Sequence, residues 1–232
     1  MSGYENGNTD AQTLCGVFYR EGIGLEKNIT KACEWLKKKA AEKGNSNAQY
    51  ELGQYYFSVE NYAEAVKLFN ISSNNKSSKA QFMLGVCYIE GYGVNKSPLL
   101  AKELFKLSAI QGYVLAQYRL GVCYLEGIGC EVDNEKVASW IHKAANIGLP
   151  QAQYDLHLIY KNGIGVYKDI NQSFYWLKKA SKNNYPDARY DLAQIVEEND
   201  KEEVYKLYKE ALNFGCNIAK QKVEELKNIL RK

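Results

Sequence analysis

Residues 116–130 read AQYRLGVCYLEGIGC, and this stretch carries the pattern that decides the fold. Ala116, Leu120 and Tyr124 are spaced four residues apart, so on an α-helix they form one apolar stripe. Gly121 follows the leucine, where the missing side chain allows a second helix to come close. A glycine inside a helix costs about 0.5–1 kcal/mol relative to alanine, so its recurrence favours a packing role. The stretch predicts a helix, here named helix A.

The same phrase recurs along the chain, at a period of 36 residues over its second half. Most copies end in a G-x-G pair, which predicts the end of helix A and the start of a loop. Self-similarity at a fixed period is the sequence signature of a repeat architecture. The predicted repeats start near residues 11, 48, 80, 116, 152 and 188.

A second amphipathic segment, named helix B, follows each loop, and its bulky residues recur with the same period. A single hairpin of helices A and B cannot bury its apolar face alone and must stack on its neighbours. We therefore predict an all-α, right-handed solenoid of about six antiparallel helix-turn-helix repeats, forming one domain over residues 1–232. The charged amphipathic segment 217–231 is predicted to be a C-terminal capping helix. The bulky residues predicted to be equivalent in helix B are Trp35, Phe69, the pair Leu104/Phe105, Trp140 and Trp176.

Composition restricts the function classes. Hydrophobic residues make up 46% and charged residues 25% of the chain, which is enough apolar material for a core. The net charge of +3 arises from scattered residues, whereas nucleic-acid binding needs a concentrated basic face. No apolar run approaches the roughly 20 residues of a membrane span. Residues 1–10 are polar and lack the apolar core of a secretory signal, so we expect a cytoplasmic protein.

No pattern of catalytic or metal-binding residues emerges. The two histidines, His142 and His157, are not paired by their spacing, and the six cysteines show neither C-x-x-C spacing nor a regular disulfide pairing. Ser73 and Lys76 match S-x-x-K without its companion motifs, and Ser73 is predicted to lie in an interhelical loop. The G-x-G pairs follow helices rather than strands and lack the other features of a phosphate loop. We predict no catalytic residue, no cofactor and no metal site.

The phrase A-x-x-x-L-G-x-x-Y-x-x-G-x-G-V, followed by W-x-x-K-A-A and a closing glycine, resembles the Sel-one-like repeat (SLR) family, relatives of the tetratricopeptide repeat. The resemblance extends over about residues 9–215. It implies regulatory or assembly factors in membrane-linked protein degradation, signalling or microbe–host contact, and some SLR arrays are fused to kinase domains. This chain departs from the pattern at His157 and Ala193, which replace the glycine, and the second repeat lacks the G-x-G loop.

By similarity with tetratricopeptide proteins, helix A lines the concave surface. Aromatic rings on that surface would suit capture of a peptide or helix of another protein. The alternative is that the rings merely pack against the adjacent helix A, and the sequence leaves both open. The residues that the resemblance implies as partner-binding are Tyr50, Gln54, Phe57, Phe82, Val86, Tyr118, Val122, Tyr154 and Lys161.

The leading functional prediction is a non-catalytic scaffold or adaptor that binds a peptide or helix of another protein. A second hypothesis is a hydrolase of the penicillin-recognising kind, an activity that the resemblance to some bacterial cysteine-rich SLR proteins implies, and it requires a reactive Ser73. A third is a structural spacer or oligomerisation module within a larger chain, such as a kinase fusion. The sequence predicts no particular oligomeric state.

Overall fold

The computed structural model describes residues 9–196 and 201–230, and over these residues it contains thirteen α-helices and no β-strand. The predicted all-α class is confirmed. The helices are α1 (Thr9–Glu21), α2 (Ile29–Lys43), α3 (Ser46–Ser58), α4 (Tyr62–Asn74), α5 (Ser78–Glu90), α6 (Pro98–Ile110), α7 (Val114–Glu126), α8 (Asn134–Ile147), α9 (Pro150–Asn162), α10 (Ile170–Lys182), α11 (Pro186–Val196), α12 (Lys201–Asn213) and α13 (Ala219–Leu230).

Polar residues just before the helices fix where many of them begin. Asp133 is one example: its carboxylate accepts a hydrogen bond from the backbone N–H of Lys136 at 3.0 Å, which satisfies a donor in the first turn of α8. At the other end of the same helix, Gly148 adopts a left-handed conformation with φ of 106°. The residues that cap helix starts with a side-chain acceptor are Asn28, Asn45, Asn61, Ser77, Ser97, Asp133 and Asp169.

The chain divides into two compact units, and the division falls within α7. Unit 1 contains α1–α6, and unit 2 contains α8–α13. In both units a helix A packs on the helix B that follows it, as in the pairs α3–α4 and α9–α10. Within a unit a helix B also packs on the next helix A, as α4 does on α5 and α8 on α9. The predictions of a single domain over residues 1–232 and of a right-handed superhelix stay predictions.

The alanine of the repeat phrase belongs to the buried face of helix A. From the second repeat on, the alanines at this position have no exposed surface, whereas Ala11 of the first repeat is half-buried; the fully buried ones are Ala48, Ala80, Ala116, Ala152 and Ala188. A methyl side chain at this position allows the neighbouring helices to approach closely. The sequence period therefore marks the line along which the hairpins pack.

The glycine of helix A lies directly under a bulky side chain from helix B. A Cβ atom placed on Gly121 would be 2.7 Å from Cδ1 of Ile141, too close for any real side chain. Gly53 faces Phe69 and Gly85 faces Phe105 at the same distance. In each of these repeats one bulky helix-B side chain occupies the space that the glycine leaves, which explains the predicted packing role of the glycine.

This position corrects the predicted alignment of helix B. Phe69 and Phe105 are the counterparts of Ile141, because all three cover the glycine of their repeat. Phe69 therefore does not take the place of a tryptophan. Trp140 is half-buried and has Leu104, 36 residues earlier, as its counterpart.

The second glycine of the G-x-G pair has a role that helix termination does not explain. Gly165 has φ of 65°, and a Cβ atom there would lie 1.9 Å from the backbone oxygen of Asn134, the first residue of α8. Gly93 approaches the backbone of Tyr62 in α4, and Gly129 that of Pro98 in α6, in the same way. The loop of each of these repeats is packed on the first turn of the preceding helix B.

The predicted C-terminal cap is α13. Its apolar side chains Val223 and Leu226 are buried in one cluster with Val204 and Tyr208 of α12, while its other face is charged and exposed. An amphipathic last helix covers the apolar side of the final hairpin. Residue 231, included in the predicted cap, lies outside the described residues.

We expect Gly165→Ala to destabilise the protein by at least about 2 kcal/mol more than Gly148→Ala. Both glycines have positive φ, so both substitutions introduce backbone strain, but only at Gly165 does the new methyl group meet another backbone. Chemical denaturation of the two variants measures the difference. Equal destabilisation would show that the loop does not need the close approach.

Candidate protein-binding site

A cleft of unit 1 lies on the faces of its first helices A. It has a volume of about 500 Å³ and is lined by residues of α1, the loop after α1, α3 and the start of α5. Two predicted partner-binding residues, Tyr50 and Gln54, are in its wall. The lining residues are Arg20, Glu21, Lys27, Tyr50, Glu51, Gln54, Ser58 and Lys79.

Tyr50 is held in the cleft by packing and by one hydrogen bond. Its ring lies 6.1 Å from the ring of Phe69, and its hydroxyl oxygen accepts a hydrogen bond of 2.7 Å from Nε2 of Gln54. Burial raises the pKa of the Tyr50 phenol, so the group stays protonated at neutral pH. The phenol therefore retains a proton with which it can donate a hydrogen bond.

An arginine joins the two acidic residues of the cleft. Arg20 donates from Nη1 to Glu51 at 2.5 Å and from Nε to Glu21 at 2.8 Å. The side chains of Arg20 and Glu51 are 22% and 17% exposed, so this pair is partly shielded from solvent. The guanidinium thereby links α1 to α3 and balances part of the negative charge.

The structure does not place Phe57 in this cleft. Its ring packs edge-on against Tyr62 at 5.2 Å and Tyr92 at 5.5 Å, and these two tyrosines stack at 4.6 Å. Phe57 therefore contributes to an aromatic cluster between α3, α4 and the loop after α5. A packing role explains this ring fully.

Phe82 and Val86 lie on α5 and are half-buried. The ring of Phe82 lies 5.7 Å from Phe105 and 5.3 Å from Tyr113, both of which belong to unit 1. Phe82 has no polar group, so it adds apolar area rather than a hydrogen-bonding partner.

In unit 2 the predicted tyrosines are linked to carboxylates of the next repeat. The hydroxyl of Tyr154 on α9 donates a hydrogen bond of 2.8 Å to Oδ2 of Asp191 on α11. Tyr118 on α7 makes the equivalent bond to Asp155 on α9. Burial, together with the neighbouring aspartate, raises the pKa of both phenols. These tyrosines thus join successive helices A.

Two further predicted residues, Val122 and Lys161, lie in unit 2. Val122 is half-buried on α7, and Lys161 is exposed in the last turn of α9. The assignment of all nine residues to a partner-binding surface stays a prediction.

Sequence reasoning missed a buried glutamine that follows the helix-A alanine. Nε2 of Gln153 donates to the backbone oxygen of Ala145 near the end of α8, while its Oε1 accepts a 2.8 Å bond from Asn183 after α10. Gln81 makes the same two kinds of bond, to the oxygen of Ser73 and from Gln111. The glutamine therefore joins the ends of two successive helices B.

Arg189 takes the glutamine position in the sixth repeat. Its Nε donates to the backbone oxygen of Ser181 at 3.2 Å, and its guanidinium lies 4.5 Å from the ring centre of Phe214 and pairs with Glu210. The repeated letters AQ and AR mark a recurring polar residue at this position. The sequence does not show which groups it bonds to, because these lie in other helices.

The two histidines contact different residues. His157 replaces the helix-A glycine and is buried, with Nδ1 2.9 Å from the hydroxyl and 3.0 Å from the backbone oxygen of Ser173. His142 accepts a bond from Asn146 and lines a second, shallow cleft of about 380 Å³ with Tyr160 and Val166. Over the described residues, no group of three or more His, Cys, Asp or Glu side chains could hold a metal ion.

Ser73 lies in the last turn of α4, so its prediction as a loop residue is wrong. Its backbone oxygen accepts hydrogen bonds from Lys76 and Gln81, which gives Ser73 a structural part at the helix end. None of the six cysteines, all of which lie among the described residues, forms a disulfide, and Cys87 and Cys123 are buried as small helix residues. Burial raises the pKa of the Cys87 thiol to about 11, which leaves it protonated.

The helix pairs, the period and the glycine packing define a helical repeat protein. The Sel1 repeat model matches residues 9–45, 46–77, 78–113, 114–149 and 150–185, so the chain belongs to the Sel1 repeat family. The repeat predicted from residue 188 is not among these five matches, although α11 and α12 pack there as a sixth hairpin.

Similar proteins come from several organisms. The putative sel1-like repeat-containing protein L21 of Acanthamoeba polyphaga mimivirus is 36% identical over 80 residues, which are 34% of this chain and 15% of that protein. The ERAD-associated E3 ubiquitin-protein ligase component HRD3B of Arabidopsis thaliana is 36% identical over 93 residues, 40% of this chain and 15% of that protein. This chain thus matches a small part of either relative.

A solved structure supports the fold. The protective antigen c5321 of uropathogenic Escherichia coli, which displays an SLR fold, has a TM-score of 0.83 and 29% identity. The match covers 96% of this chain and 49% of that one. Sel1 repeat proteins act as scaffolds for protein interaction. Across the parts of this chain that the structure describes, no helix is long and apolar enough to cross a membrane.

We expect His157 to make stability fall as the solution becomes acidic. Its pKa is lowered, first by burial and further by Lys161, so between its ordinary value of about 6.5 and the folded value only the unfolded chain binds the proton. The free energy of unfolding should therefore decrease as pH falls below about 7, by at most about 1.4 kcal/mol per pH unit from this residue.

Urea denaturation at pH 7.5 and 5.5 measures this dependence, with His157→Gln as the comparison because glutamine remains neutral. The decrease between the two pH values should be larger for the wild type. Parallel changes in both proteins would contradict a buried, neutral histidine.

Proposed function

We propose that the chain is a non-catalytic, cytoplasmic scaffold, and that the cleft of unit 1 binds a peptide or helix of another protein. The observation that supports this proposal is the cleft itself, where Tyr50 and Gln54 face an open volume of about 500 Å³. Its hydrogen-bonding groups are fixed by packing and by the Arg20 ion pairs before any partner binds. Preorganised side chains reduce the entropy lost on binding.

Family membership supports a scaffold in general terms, since Sel1 repeat proteins bind other proteins. The relative from Arabidopsis is named as a component of a ubiquitin ligase, which is itself an assembly of proteins. Because this chain matches 15% of that relative, we propose no shared pathway or partner. We propose neither nucleic acid nor a cofactor as a ligand.

Unit 1 is a better candidate for the binding face than unit 2, because the tyrosine hydroxyls of the two units make different hydrogen bonds. The hydroxyls of Tyr118 and Tyr154 donate to aspartates of the next repeat. Tyr50 instead accepts a hydrogen bond from Gln54. A phenol that still has a proton to donate can recognise a partner without breaking a bond within the protein.

We expect peptides selected from a random displayed library to bind with a dissociation constant that Tyr50→Ala weakens at least about tenfold, which corresponds to about 1.4 kcal/mol. The substitution removes both the ring and the hydroxyl from the cleft wall. Fluorescence anisotropy with labelled peptides measures the binding, and thermal melting establishes that the variant is folded.

Tyr167→Ala is the matched control, because Tyr167 is 97% exposed and lies in a loop of unit 2. It should leave the dissociation constant unchanged. Failure to select any peptide, or equal effects of the two substitutions, would contradict the proposal. Self-association in sedimentation experiments, without peptide binding, would instead support a spacer or oligomerisation module.

A further inference from the structure

In the unit-1 cleft the acidic side chains are paired, whereas two of the basic side chains are not. Glu21 and Glu51 both pair with Arg20. Lys27 and Lys79 also line the cleft, and among the described residues neither has an ion-pair partner. Nζ of Lys79 lies 5.9 Å from the ring centre of Tyr50. The cleft therefore has two ammonium groups available on a wall whose carboxylates already share a cation.

The Tyr50 hydroxyl is a third hydrogen-bond donor in the cleft, because the next helix A has no acceptor at the aligned position. In unit 2 the acceptor for the tyrosine is an aspartate on the next helix A, as in Tyr154 and Asp191. The corresponding residue of α5, next to Tyr50 in the stack, is Met83. Methionine offers no strong acceptor, so the Tyr50 proton is left for a ligand.

We infer that the cleft of unit 1 binds an acidic segment of a partner protein, with a carboxylate recognised by Lys27, Lys79 and the Tyr50 hydroxyl. This inference rests on the proposed function, since it names the chemistry of the segment that the cleft takes. A carboxylate accepts several hydrogen bonds, and hydrogen bonds between charged groups are the stronger ones. Glu51 and Glu21 do not prevent this, because Arg20 offsets one of their two negative charges and the two lysines leave the cleft lining with an excess of positive charge.

The test compares three labelled peptides of 12 residues or so, all acetylated and amidated, in which alanine alternates with glutamate, glutamine or lysine. At low ionic strength the glutamate peptide should bind at least tenfold more tightly than either of the others. Added salt should weaken this binding, because exposed charges are screened. Equal binding of the glutamate and glutamine peptides would overturn the inference.

The variant Lys27→Ala/Lys79→Ala should abolish the preference for glutamate over glutamine. Lys168→Ala is the matched control: Lys168 follows Gly163 by five residues, as Lys27 follows Gly22, but it lies in the fifth repeat and not in the cleft. It should bind the glutamate peptide like the wild type. The double variant removes two charges and the control one, so equal weakening per removed charge would indicate attraction to the net charge alone and would overturn the inference.

Tyr50→Phe keeps the ring and removes the hydroxyl, so it should weaken binding of the glutamate peptide about threefold or more without lowering the melting temperature. An unchanged affinity would remove the phenol from the proposed contact set and contradict the inference as stated. If library peptides bind in a Tyr50-dependent way but contain no acidic residues, the inference fails and the scaffold proposal stands. If no peptide binds, both fail.

Discussion

Close approach between helices is the constraint on which the rest of this structure depends. Alanine and glycine on helix A leave room that a single bulky residue of helix B fills, as Ile141 does over Gly121. Each hairpin then exposes a further apolar face, which the next hairpin must cover. The helices are mostly 13 residues long, a length at which an isolated helix is marginal in water. Stability therefore arises mainly from contacts between helices rather than within a single helix.

Much of this fold could be predicted because packing repeats in the sequence. The alanine period, the glycine after the leucine and the G-x-G pairs identified the helices and their ends, and the structure confirms the all-α class. The predicted alignment of helix B is wrong at one position, because two neighbouring bulky residues cannot be told apart by size alone. Phe69 is aligned with the tryptophans in the sequence, but in the structure it covers Gly53. The contact of Gly165 with the backbone of Asn134 was also missed, because the glycine spacing within a loop does not show what lies beside it.

The candidate site was less predictable than the fold, since its chemistry depends on pairs of residues in different repeats. Tyr50 and Tyr154 occupy equivalent positions, yet Tyr154 donates to Asp191 and Tyr50 is followed in the stack by Met83. The repeat period therefore predicts the helices but does not show that their tyrosines differ in whether the next helix A offers an acceptor. The resemblance placed Phe57 beside Tyr50 in function, whereas the structure puts Phe57 among Tyr62 and Tyr92. The sequence pattern identifies which face of helix A a residue lies on. The residues beside it in the folded chain determine whether its hydrogen-bonding group is available to a partner.

The most direct test of this account is the far-ultraviolet circular dichroism of a peptide comprising one matched repeat, residues 150–185, compared per residue with that of the whole chain. The account predicts that the isolated hairpin is largely unfolded in water and shows no cooperative thermal transition, because its buried faces lack their neighbours. The whole chain should remain helical under the same conditions. A peptide that folds cooperatively to a helical state by itself would contradict the claim that stacking between hairpins specifies this structure.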